Sequence, residues 1–396
     1  MNADPALVER VRWRLARTGE AATPDRLAAA VRAEAGICGD ADVLAVVTAL
    51  GRELSGAGAL APLLSEEGVT DVLVNGPDDV WVDRGHGLQR AGVRFPDEAA
   101  VERLARRLAA LASRRLDAAA PYVDARLPGG VRLHAVLPPV APEGTCLSLR
   151  VPPRQTFTVD ALVAAGTVAD RMALLLRAIV AARLAFLISG GTGAGKTTLL
   201  STLLGLVDPN ERIVLVEDSG ELRPVHPHVV RLEARPPNVE GAGAVTLRDL
   251  VRQALRMRPD RLVVGEVRGG EVADLLAALN TGHEGGCGTV HANRPVDVPA
   301  RLEALAAMGG TDRAALHSQL AAAVHVVVHI ARIARGVRQV TSVGVVHRDR
   351  ADLVTVQPAL VLDGSGVVTT GPGARLLSNL IEASAPDYVD ACGLEA

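Results

Sequence analysis

Gly190-Gly191-Thr192-Gly193-Ala194-Gly195-Lys196-Thr197-Thr198 contains the one lysine in a chain of 396 residues; every other residue of that charge class is arginine. An ammonium on a flexible stem is a compact point charge, whereas a guanidinium is a broad planar fork that would not fit a tight cradle. The run has the form G-x-x-x-x-G-K-T, in which the backbone N–H groups of a glycine-rich turn face phosphate oxygens at the positive end of the following helix. In that arrangement Lys196 reaches the β- and γ-phosphates and the Thr197 hydroxyl is offered to Mg²⁺. The apolar run RLAFLISG stands before it and a helical pattern from Lys196 to about Val207 after it, the context this motif requires. Binding of ATP with Mg²⁺ is the expectation.

Carboxylates and a histidine follow at the ends of other apolar runs. In RIVLVEDSGELR, Glu217, Asp218 and Glu221 sit where a buried strand should end, the usual place for a ligand crevice in an open α/β sheet; the alternative is a solvated turn. In DRLVVGEVRGGE, Glu266 takes the same kind of position and would orient a metal-bound water. Gly265-Glu266 departs from the commoner Asp-Glu ending, so contact with Mg²⁺ is expected through water. In GTVHAN, His291 ends another strand, where an imidazole could sense the γ-phosphate. The spacing His283-x-x-x-Cys287-x-x-x-His291 invites a zinc reading, but a usual site needs a fourth ligand.

These groups need elements to hold them. From about residue 166 to 360 apolar strands alternate with helices near 169–181, 196–207, 246–257 and 270–280, which implies a parallel sheet buried on both faces. VHVVVHIARIARG and RQVTSVGVVHR should extend it as an antiparallel hairpin. Residues 1–60 have helical periodicity in ALVERVRWRLA and DVLAVVTALGREL. Residues 61–150 form a smaller α+β module: DVLVN, DVWVD, VRLHAVLP and TCLSLR read as strands and VERLARRLAALASRR as an amphipathic helix. A proline-bearing linker is expected over 151–165, and 361–396 is left as a Gly-rich tail without a role.

Composition bounds the function. At 48% hydrophobic and 22% charged the chain is an ordinary globular protein, and a net charge of -3 with 2% aromatics argues against a surface that coats nucleic acid. The four cysteines have no paired spacing, which suits a reduced, cytosolic chain. MALLLRAIVAARLAFLIS, broken by Arg177 and Arg183, is not a clean membrane span, and the N-terminus lacks the apolar core of a signal peptide.

Taken together, GGTGAGKTT, VEDSGELR, LRMRPDRLVVGEVRGGE, NTGHEGG and GTVHAN resemble, in order and spacing, the Walker A, aspartate-box, Walker B and histidine-box motifs of the type II and type IV secretion ATPases. LLSEEGVTDVLVNGPDDVWVD, RRLDAAAPYVDARLPGGVRLHAVLPP and LSLR are similar to the N-terminal domain of the tight-adherence (Tad) pilus branch, often labelled conjugal-transfer ATPases. The resemblance covers roughly residues 50–350, and the tetracysteine module of many pilus-extension members is missing, which favours that branch.

The resemblance implies a RecA-like ATPase domain, a homohexameric ring, nucleotide between an N-terminal and a C-terminal domain, and an integral membrane platform as partner at the inner face of the cell membrane. It implies that Gly190 to Thr198 hold the triphosphate, that Glu221 activates the attacking water, and that Glu266 positions it; either carboxylate could be the base. With no second lysine, the opposing cations must be arginines. Arg132 and Arg150 match arginines that reach the phosphates in relatives, and Arg248, Arg252 and Arg256, at i, i+4 spacing, could act across a subunit boundary. His325 and His329 are expected to be structural or exposed. Three functions compete: a motor for pilus assembly or protein secretion, which leads; a conjugal DNA-transfer ATPase; and a nucleotide-gated scaffold without turnover.

Overall fold

The computed structural model describes residues 10, 11, 14, 24–35, 56–152, 156–235, 237, 242–282, 284–333 and 336–394. The chain forms two compact units, Met1–Arg154 and Gln155–Ala396. Of the early helices, α1 (Pro24–Ala35) is seen, whereas the periodic run 42–54 and most of 6–16 lie outside the described residues.

In the first unit α2 (Ala61–Ser65) precedes β1 (Asp71–Gly76), β2 (Asp79–Asp83), β3 (Leu88–Arg90), α3 (Glu98–Leu111), β4 (Tyr122–Arg126), β5 (Arg132–Val136) and β6 (Cys146–Arg150). The strands pair antiparallel throughout, in the order β3-β2-β1-β6-β5-β4. Period-two alternation turns Val72, Val74, Val80, Val82, Leu133, Ala135, Leu147 and Leu149 to one face, where α3 packs Val101, Leu104, Ala105 and Leu108 into the same core. Asp97 starts α3, its side chain accepting the Ala100 N–H at 2.7 Å. The opposite face carries a ladder of arginines: Arg126 stands opposite Arg132, and Arg132 opposite Arg150. Arg150 in turn faces Asp71 and donates from Nε to its carboxylate at 3.1 Å.

The second unit runs α4 (Val159–Ala164), α5 (Asp170–Ala181), β7 (Phe186–Gly190), α6 (Lys196–Leu204), β8 (Ile213–Glu217), β9 (Val229–Glu233), α7 (Leu247–Ala254), β10 (Arg261–Val267), α8 (Glu271–Leu279) and β11 (Cys287–His291). Then come α9 (Val298–Met308), α10 (Arg313–Ala323), β12 (Val326–Arg332), β13 (Arg338–Arg348), β14 (Val354–Leu362), β15 (Val368–Thr370), α11 (Ala374–Glu382) and α12 (Val389–Cys392). Nine strands form one sheet in the order β15-β14-β13-β12-β7-β11-β10-β8-β9. The six from β12 to β9 are parallel, and the β12–β13 hairpin continues the sheet antiparallel as its sequence suggests.

Both faces of this sheet are covered. Ile188, Leu215 and Val263 meet Leu199, Leu200 and Leu203 of α6 on one side. Leu187, Val216 and Val264 meet residues of α7, α8, α9 and α10 on the other. Residues 361–394 are built into this unit: β15 pairs with β14, Leu377, Ile381, Cys392 and Leu394 are buried in its core, and Arg171 donates to Val368 O, to Thr370 Oγ1 and to Gly393 O. The apolar Leu377 and Ile381, four apart, were the signal for a packed helix there.

Candidate active site

Chemistry collects at the carboxyl ends of four adjacent parallel strands, β7, β11, β10 and β8, which end in Gly190, His291, Glu266–Val267 and Glu217. Inside a sheet buried on both faces a charge has no water, so polar groups are carried where the strands stop and the loops begin.

The loop after β7 is shaped by its glycines. A Cβ on Gly190 would stand 2.2 Å from Ile330 O, and Gly195 takes φ +101, the left-handed region, as the residue that opens α6. Lys196, buried at the first position of α6, donates from Nζ to Gly190 O at 3.1 Å and Gly191 O at 3.0 Å, and lies 3.3 Å from His291 Nε2. Burial lowers the Lys196 pKa, an effect the nearby Glu266 carboxylate opposes. Thr197 follows at the start of the same helix.

Glu266 is held from two sides. Its Oε1 lies 2.5 Å from His291 Nε2, close but not aligned as a hydrogen bond, and its Oε2 accepts Arg268 Nε at 2.7 Å and Arg268 Nη2 as well. Arg268 also approaches Asp218 at 3.6 Å. The His291 pKa is lowered by burial and then by the Lys196 charge, against the pull of Glu266. Glu271 fixes the turn by accepting the N–H groups of Arg268 and Gly269 at 2.6 and 2.8 Å.

On β8, Glu217 is 3% exposed; its Oε1 accepts the N–H groups of Glu221 and Leu222 at 2.8 and 2.9 Å, and burial raises its pKa. Glu221 is half-buried and near enough to act electrostatically on both Lys196 and Arg268.

The structure therefore brings Lys196, Glu221, Glu266 and His291 together. Arg132 and Arg150 stand in the first unit, in the arginine ladder of β5 and β6. Arg248 and Arg252 share one helix face as their spacing predicts, and both donate to Asp274 of α8, at 2.7 and 2.9 Å. Arg256 departs from that pattern: α7 ends at Ala254 and Arg256 falls in the following 3₁₀ turn.

Sequence reasoning missed two groups, Arg268 and Arg338. Arg268 was visible as the residue just past the Glu266 strand. Arg338, at the start of β13, donates from Nε to Gly193 O at 3.1 Å, a contact between segments 145 residues apart that no local pattern announces. His329, expected to be structural or exposed, is buried, its Nδ1 2.9 Å from Ser189 Oγ directly before the glycine loop.

The donors fit a nucleotide with Mg²⁺. Among the described residues no cluster of three His, Cys, Asp or Glu side chains could hold a metal by itself. Mg²⁺ needs no such cage, since it is bound by one or two protein oxygens together with substrate phosphates. Zinc does not fit. Cys287 is fully buried with its thiol pushed up to about 12, and His291 lies four residues along the same strand, about 13 Å away at the usual strand rise. His283 lies outside the described residues.

Comparison with known proteins shows a family and a fold. The family model for type II/IV secretion system proteins matches residues 53–358. A putative conjugal transfer protein of Mycobacterium tuberculosis is 63% identical over 326 residues, spanning 80% of this chain and 93% of the relative. A probable conjugal transfer protein of Sinorhizobium fredii is 32% identical over 284 residues, 70% of this chain and 84% of the relative. The solved structure of the pilus retraction motor PilT with bound ADP shares the fold at TM-score 0.53 and 17% identity, over 85% of this chain and 89% of that one.

Proposed function

This chain belongs to the type II/IV secretion system protein family, and we propose on that basis that it is the ATP-hydrolysing motor of such a system, powering pilus assembly or protein secretion through an inner-membrane platform. The observation that carries the reading is the convergence of Lys196, His291, Glu266 and Glu221 at the ends of adjacent strands beside a phosphate-binding loop. A binding scaffold would need the loop alone. Hydrolysis needs carboxylates and cations placed around it.

The residues Gly190 to Thr198 hold the triphosphate, with Lys196 spanning its β- and γ-phosphates. Thr197, with Glu266 through water, would hold Mg²⁺, which when bound neutralises charge on the same phosphate oxygens. A water attacks the γ-phosphorus in line, the bond to the β–γ bridging oxygen breaks, and ADP leaves. Glu221 accepts the proton of that water. Glu266 acts as the orienting group, because its Oε2 is already held by Arg268 while its Oε1 faces His291. His291 senses the γ-phosphate from beside Lys196.

Charge on the leaving oxygen requires further cations, which we assign to Arg132, Arg150 and Arg252, supplied on assembly into a homohexamer. Membership of the Tad pilus branch and a peripheral place at the inner face of the cell membrane complete the proposal. Among the described residues no helix is long and apolar enough to cross a membrane.

The test is ATP turnover by the purified chain beside Lys196→Ala. Phosphate release in the first and none in the second supports the motor, and nucleotide binding without turnover in the wild type refutes it. A second reading, a conjugal DNA-transfer ATPase, is favoured by the names of the two conjugal relatives. Stimulation of turnover by single-stranded DNA would select it.

A further inference from the structure

Strand β8 ends in a carboxylate that the hydrolysis scheme has not used. Glu217 is 3% exposed, its Oε2 is buried without a hydrogen-bond partner, and its Oε1 takes two backbone N–H groups in succession, those of Glu221 at 2.8 Å and Leu222 at 2.9 Å. The next N–H, of Arg223, is taken by Ser201 Oγ of α6 at 3.1 Å. Leu222 is fully buried in the core that α6 shares. Three consecutive backbone donors are thus satisfied by side chains rather than by a neighbouring strand, and the segment after β8 is folded back onto the phosphate-loop helix.

The neighbouring strand makes room for this arrangement. A Cβ on Gly265 would stand 2.8 Å from Glu217 Cγ and 3.3 Å from its Oε1. Strands β8 and β10 run in register at Val216 and Val264, one residue before this pair. The Gly265-Glu266 ending, unusual where Asp-Glu is commoner, is therefore the space that the Glu217 side chain occupies.

We propose that Glu217 is a positioning residue for hydrolysis, which aims the Glu221 carboxylate by accepting the backbone N–H groups of Glu221 and Leu222 and works through those two bonds rather than through its charge. The inference rests on the reading of Glu221 as the base. A group misplaced by about 1 Å costs on the order of 100-fold in rate, whereas binding of the triphosphate by the loop of β7 does not pass through Glu217.

The experiment is steady-state ATP turnover and binding of a fluorescent ATP analogue by the full chain, with thermal melting as a check on folding. The variants are Glu217→Gln, Glu217→Asp, Glu217→Ala, Glu221→Gln and the double variant Glu217→Ala/Glu221→Gln. Glu217→Gln keeps an acceptor at the right reach, so its kcat should stay within about threefold of wild type. Glu217→Asp keeps the charge but is one methylene short, and it should lose on the order of 100-fold in kcat with KM and analogue affinity little changed, as should Glu217→Ala. In the double variant, Glu217→Ala should add less than about threefold to the loss in Glu221→Gln.

The reverse order, with Glu217→Asp active and Glu217→Gln inactive, overturns the proposal in favour of a charge. Independent, multiplying losses in the double variant overturn it in favour of a general structural role. Should Glu217→Ala fail to fold, the Gln and Asp variants still decide. Loss in Glu221→Gln with full turnover in Glu217→Ala sinks this inference alone. Full turnover in Glu221→Gln removes the base assignment and the inference with it.

Discussion

The two sheets of this molecule handle charge in different ways. In the first unit the antiparallel sheet buries one face against α3, and alternation sends Arg126, Arg132 and Arg150 to the other face as a ladder across three strands. In the second unit the parallel strands are buried on both faces, and charge is gathered at their carboxyl ends in a cluster of Lys196, His291, Glu266, Arg268 and Glu217. A period-two face can change its charged residues with little effect on the core beneath. A strand-end cluster cannot, because Lys196 and Glu217 there also hold the backbone of the neighbouring loops. The ladder arginines stand outside the core, whereas Arg268 in the cluster braces Glu266.

Substitutions can break that comparison. Lys196→Ala should have the largest effect, a loss of turnover on the order of 1,000-fold, because it removes the one charge inside the phosphate loop. Measured phosphate release within tenfold of wild type would mean that the cluster is not the site of chemistry. Arg132→Ala and Arg150→Ala should each lower turnover about 100-fold with no change in melting temperature. The pair of Arg150 with Asp71 is exposed and contributes next to nothing to folding. A drop in melting temperature matching the drop in rate would make the ladder structural.

Acidification sharpens the contrast more gently. His291, His325 and His329 all have pKa values lowered from 6.5, first of all by burial. Each binds protons more weakly folded than unfolded. Their contribution is therefore fully present above about pH 6.5 and is lost as pH falls from there toward their folded values. The midpoint of thermal unfolding should fall between pH 7.5 and pH 5.5, and a midpoint that rises would mean that these imidazoles are not buried as neutral groups. Smallest of all is the response of Cys287, whose thiol is pushed up to about 12. It should resist alkylation in the native chain at pH 8 and react after denaturation, as mass spectrometry of the peptide would report.

Much of the second unit was legible in the sequence because its strands are short, wholly apolar runs, and each ends at a residue type that apolar burial does not explain. Glu266 and His291 are legible in that way, and Lys196 through the glycine-loop motif and as the one lysine of the chain. The short strands β3 and β4 were not, since Leu88, Gln89 and Arg90 are all exposed and β4 buries a single valine, Val123, so neither has an apolar period to read. In the tail Leu377 and Ile381 carry a helical spacing, which glycines on either side of β15 obscure. What sequence could not supply was pairing at a distance. Arg338 on Gly193, His329 on Ser189 and the two arginines on Asp274 join segments that lie far apart in the chain. The residue types alone do not say which partner a long cationic side chain will choose.

The central claim is that the strand-end cluster hydrolyses ATP and is completed by arginines when copies of the chain assemble. The direct measurement is ATP turnover per chain as the protein concentration is raised, with Lys196→Ala as the blank. Specific activity that climbs with concentration and then levels, in parallel with assembly followed by light scattering, is the predicted result. Specific activity that is flat down to concentrations where the chain is monomeric would contradict it, because each copy would then carry a complete site of its own.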